Sequence, residues 1–114
     1  MQIKDGVTLA GLHPVMRPVL REAESIWKAH GRPEGVTITE ARGGTHSASS
    51  FHYYGLALDL RTRYFEFDEA VLVHKALKTA LPGFDIIHHE KDGKSSHIHA
   101  EVGNGLATEL GVLY

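Results

Sequence analysis

"SSFHYYGLALDL", Ser49–Leu60, decides how this chain is read. Its second half alternates in the manner of a strand, where successive side chains point to opposite faces. Leu56, Leu58 and Leu60 then share one face, and Gly55, Ala57, Asp59 and Arg61 share the other. Three leucines in a row on one side require a core. Asp59 therefore faces away from it, with His52 upstream and the small Gly55 and Ala57 between them. An imidazole and a carboxylate on either side of two nearly absent side chains suit a site with a low floor, open to a metal ion and a substrate backbone.

A second stretch, "HIHAEV" at His97–Val102, repeats the logic. His97, His99 and Glu101 fall on one face and Ile98, Ala100 and Val102 on the other. Two strands thus present nitrogen and oxygen donors away from the core. Imidazole nitrogen and carboxylate oxygen are zinc-type ligands, and catalytic zinc sites use three protein ligands plus a water. The hairpin "FDIIHHEKDGKSSHIHAEV" has Asp92-Gly93 as its turn signal. A four-residue loop, Asp92 to Ser95, pairs Glu90 with His97 and His88 with His99. That register, like one with a two-residue loop, sets Glu90 and His88 on the metal face and Ile87 on the core face, whereas a three-residue loop reverses the parity.

Around these strands the chain reads as one α+β domain, 1–114, with helices on one face of a mostly antiparallel sheet. Apolar residues Met16, Val19, Leu20, Ala23, Ile26 and Trp27 recur at helical spacing between Leu12 and His30. Pro14 suits a first turn, Gly31 a C-terminal stop, and Pro18 a bend or the true start. "GVTITEA" alternates as a strand with Val36 and Ile38 on one side. Asp68 is placed to cap a helix from Glu69 to Leu81 with Val71, Leu72, Ala76 and Leu77 inward. The tail "GNGLATELGVLY" adds at most a short helical turn.

Composition narrows the function classes. The 114 residues carry 12 basic and 14 acidic groups, a net charge of -2, so neither nucleic acid nor an anionic membrane is indicated as a partner. With no cysteine, a thiolate metal site, a disulfide and a Cys nucleophile are all excluded. Nine histidines are present, and histidine is the commonest metal ligand. "MQIKDGVTLAG" lacks the apolar core of a secretory signal. The expectation is a monomer that is cytoplasmic in the producing cell.

Ser50-x-His52-x-x-Gly55-x-Ala57-x-Asp59 resembles the SxHxxGxAxD motif of the zinc D-Ala-D-Ala peptidases, and "HIH" resembles their second motif. That group includes bacterial carboxypeptidases and dipeptidases, phage endolysins and the Hedgehog signalling domain. The resemblance covers roughly Thr39 to Val102. It implies a Hedgehog/DD-peptidase-like fold, a Zn2+ cofactor held by His52, Asp59 and His99, and hydrolysis of amide bonds in peptidoglycan stem peptides or cross-bridges. It further implies Glu90 as general base and His97 as the imidazole supporting the oxyanion or the base. Asp92 and Glu101 are the other acids for the base role; Glu101 on the site face suits orienting His99. The peptidases carry an acid three residues before the last histidine, where this chain has Ser96. Arg42 sits roughly where they place an arginine that holds a substrate carboxylate, and Arg61 is its rival. A non-catalytic, zinc-stabilised binding domain of the Hedgehog kind, or a virion structural module, would use the same first motif.

Overall fold

The computed structural model describes residues 1–41, 51, 52, 54–90 and 96–111. It is a small α+β domain in which a mixed five-stranded sheet carries three helices. The strands are β1 (Gln2–Ile3), β2 (Thr37–Glu40), β3 (Ala57–Arg61), β4 (Phe84–His89) and β5 (His97–Val102). The helices are α1 (Arg17–Ala29), α2 (Phe67–Ala80) and α3 (Asn104–Glu109). The sheet order is β1-β2-β3-β5-β4, with β1 parallel to β2 and every other pair antiparallel. No helix among the described residues is long and apolar enough to cross a membrane.

Leu56, Leu58, Leu60, Ile98, Ala100 and Val102 form one buried cluster with Val19, Ala23 and Trp27 of α1 and Val73 and Leu77 of α2. The helices therefore cover the leucine face, and Asp59 is left on the other side, as the alternation requires. A 3-10 turn over Pro14–Met16 leads into α1, and Pro18 lies in that helix's first turn, where a missing N–H costs nothing. Gly31, at φ +90°, follows the helix end as a left-handed stop. Trp27 ties α1 to the site strand: its indole N–H donates to the Arg61 carbonyl at 3.0 Å.

Three expectations are corrected. Asp68 is not the cap of α2; it lies inside the first turn with Glu69, and Glu66 at the cap position makes no side-chain cap bond. The inward stripe of α2 is Ala70, Val73 and Leu77, while Val71 and Leu72 are exposed. Both stripes fit a 3.6-residue period and share Leu77, so the period alone does not choose between them. The hairpin register also differs. His89 pairs with His97, His88 with Ile98, Ile87 with His99 and Ile86 with Ala100. "FDIIHH" offers two adjacent isoleucines, and only one can face the core. Ile86 is the one buried, at 6% exposure, which reverses every other side chain of β4 relative to the expected parity.

Gly55 also has a different role from the one its motif position suggests. It precedes β3 at φ +72° and supports the segment before α1, where His13 N–H donates to the Gly55 carbonyl at 2.9 Å. A Cβ on Gly55 would run into the Gly11 carbonyl oxygen. Ala57, fully buried on the metal face, remains as the floor residue. Gly55→Ala is expected to destabilise the domain by about 2–4 kcal/mol, combining left-handed strain with a backbone clash. Urea denaturation should show a lower midpoint at an unchanged slope; an unchanged midpoint would remove the steric role.

Candidate metal centre

β3 and β5 run antiparallel with Asp59 opposite His99 and Arg61 opposite His97. This register sets the β5 imidazoles beside the β3 carboxylate. His52 enters from the turn that precedes β3. Its Nε2 lies 3.3 Å from Asp59 Oδ1, and His99 Nδ1 lies 2.8 Å from the same oxygen. The two rings meet edge to face, with centroids 5.0 Å apart. His52, Asp59 and His99 offer donor atoms that all lie within 4.8 Å of one another, a group able to hold a metal ion.

The remaining ring nitrogens explain the convergence. His52 Nδ1 faces the Ala41 carbonyl at 2.9 Å, and a carbonyl only accepts, so this nitrogen carries the hydrogen. His99 Nε2 faces Glu101 Oε1 at 2.6 Å and likewise donates. In their neutral forms both rings therefore aim a lone pair at the Asp59 carboxylate. Lone pairs directed at a carboxylate repel it unless a proton or a cation lies between. Tetrahedral zinc with bonds of ~2.0–2.2 Å spaces its ligands about 3.3–3.5 Å apart. The His52–Asp59 separation already matches, and the His99–Asp59 separation needs to open by about half an ångström. The donor set fits a divalent ion.

Titration of the same groups follows this geometry. Burial alone would push the Asp59 carboxyl up, but hydrogen bonds and charge from His52 and His99 outweigh it and hold Asp59 well below the usual carboxylate range. Burial alone would depress His99, but its bonds to Asp59 and Glu101 raise it instead. Glu101 thus orients His99 from outside the donor group, as its place on the strand face suggests. Glu101→Gln is expected to weaken zinc binding about 10–100-fold while leaving the fold intact. Competition with a chromogenic chelator measures this, and wild-type affinity in the variant would remove Glu101 from the centre.

Of the other site residues expected from sequence, His97 is nearby: its Nε2 is 3.9 Å from Asp59 Oδ2, and its ring stacks on His89 at 4.9 Å. Arg61 lies on the same face and lines a cleft of about 230 Å³ with Asp59 and His97. Lys4, Arg63 and Glu40 line it too, and no local motif marks them. Glu40 arrives there through a bulge in β2, which pairs Ile38 with Leu60 but Glu40 with Asp59. Glu90 and His88 are not on this face. Glu90 accepts a hydrogen bond from Ser96 Oγ at 3.3 Å, and His88 Nε2 lies 3.0 Å from its other oxygen without hydrogen-bond geometry. The His88 ring stacks on Phe67 and neighbours His74, both of α2. The register reversal accounts for both placements. Arg42, Ser50 and Asp92 lie outside the described residues.

Three further histidines bond within the fold. His13 Nδ1 accepts from Val15 N–H, His30 joins Glu69 across the two long helices, and His74 Nε2 meets the Ile86 carbonyl. No protein-family model matches this chain, and no curated protein matches it.

Proposed function

We propose that this chain is a zinc-dependent peptidase of the D-Ala-D-Ala peptidase type, hydrolysing amide bonds in peptidoglycan stem peptides or cross-bridges. The observation that carries it is the meeting of His52, Asp59 and His99, each imidazole held by an acceptor on its far nitrogen. These are the positions that the SxHxxGxAxD and "HIH" motifs single out. Three protein donors among the described residues match the number in catalytic zinc sites, which keep a position open. When bound, zinc supplies Lewis acidity toward an amide carbonyl and lowers the pKa of water toward ~7.

The chain's own residues do the rest. His97, beside the second oxygen of Asp59, takes the proton from the attacking water and returns it to the leaving amine. This role falls to His97 in place of Glu90, which faces the helix side. Arg61, with Lys4 and Arg63 in the same cleft, binds the anionic end of the substrate. The cleft opens directly beside Asp59, so that end sits next to the reacting carbonyl.

A second reading is a zinc-stabilised binding domain without catalysis, of the Hedgehog or virion kind. It is favoured by the position of Glu90 and by Glu101 acting on the far nitrogen of His99. Digestion of purified muropeptides with zinc-loaded protein, read by mass spectrometry, separates the two. Release of D-alanine or cleavage of cross-bridges, abolished by chelation, is the expected result. Stoichiometric zinc with no product would establish the binding domain instead.

A further inference from the structure

The register of β4 places an aliphatic side chain where the sequence alone suggests an imidazole. Asp59, His99 and Ile87 form one row across β3, β5 and β4. Ile87 is the direct cross-strand neighbour of His99, at a Cα spacing of about 4.5–5.5 Å. It is 45% exposed. A lone exposed isoleucine is ordinary; this one stands next to a residue of the candidate metal group. The rows on either side are polar: Arg61, His97 and His89 on one, Glu101 and Asp85 on the other, beside the buried Ala57. The cleft lined by Lys4, Arg61 and Arg63, and also by Glu40 and Asp59, lies on the Arg61 side of the donors. Ile87 lies across β5 from it.

Resting on the peptidase reading, we propose that Ile87 is a specificity-determining residue of this site: it forms the apolar wall that receives the side chain of the substrate residue carrying the scissile carbonyl. The anionic end of the substrate occupies the Arg61 cleft. The carbonyl then sits at the donors, and the acyl-side residue extends toward β4. An aliphatic side chain there covers Ile87 and removes apolar surface from water. Glycine covers nothing. An acidic side chain meets Asp85 and Glu101 and is repelled.

The test uses product analogues rather than turnover. Zinc content is measured first. N-acetyl-glycine, the two enantiomers each of N-acetyl-alanine and N-acetyl-valine, and N-acetyl-aspartate are then titrated into the zinc-loaded chain, followed by amide NMR shifts. In the wild type, affinity for one enantiomeric series is expected to rise about fourfold per buried methylene from glycine upward, with aspartate weaker than alanine. Ile87→Ser should flatten the series while leaving the glycine constant and zinc affinity unchanged, and Ile87→Val should largely restore it. Binding without a rise, or a rise that survives in Ile87→Ser, overturns the assignment of Ile87 alone. A protein that holds no zinc, or a zinc-loaded wild type that binds none of the series, overturns the peptidase reading and Ile87's role with it.

Discussion

Asp59→Ala is expected to reduce bound zinc from one per chain to none. Asp59 is the common partner of His52 and His99, whose rings both approach its Oδ1. Without it no anionic donor remains in the group, and two neutral nitrogens hold a divalent ion poorly. The effect should reach stability. Free metal at about a thousand times its dissociation constant stabilises a folded protein by ~4 kcal/mol. For a domain of this size, chelation of the wild type should lower the melting temperature by roughly 10–20 °C. Asp59→Ala should melt near the chelated wild type and should not respond to added zinc. Asp59→Asn keeps the shape but not the charge, and should behave the same way. Elemental analysis and calorimetric scans with and without zinc check both. An Asp59→Ala protein that keeps zinc at wild-type affinity would move the centre elsewhere.

The second large effect is a contrast between two residues. His97→Gln is expected to retain zinc and fold while losing about 10²–10⁴ in rate, the usual contribution of a positioned general acid or base. Glu90→Gln should leave the rate within about threefold, as a substitution away from the site does. The difference follows from strand parity. His97 is on the Asp59 face and within 3.9 Å of it, whereas Glu90 bonds Ser96 and lies by His88 on the helix side. Steady-state hydrolysis of a defined stem peptide, with zinc content measured for each variant, gives the comparison. A Glu90→Gln protein that holds zinc and is inactive would return the base role to Glu90.

Much of the site was legible because period-two alternation is a strong constraint. Leu56, Leu58 and Leu60 could only be core, so Asp59 had to face outward, and the same parity in "HIHAEV" set His99 and Glu101 beside it. Histidine and aspartate at motif spacing point to a metal from the chain alone. The parity of β4 was not legible. Ile86 and Ile87 are equally apolar, and the turn between β4 and β5 can hold an odd or an even number of residues. Packing against α2 selected Ile86 for the core, turned His88 and Glu90 to the helix side and set Ile87 next to His99. The stripe on α2 was ambiguous for the same reason, since two overlapping sets of residues satisfy the helical period. Contacts between distant segments left no local trace: the Ala41 carbonyl that orients His52, the β2 bulge that delivers Glu40, and the approach of Gly11 and His13 to Gly55. Alternation within a strand is a property of its own residues and is written in the chain. Register between strands is chosen by what must be buried against a third element, and only the assembled tertiary structure contains that element.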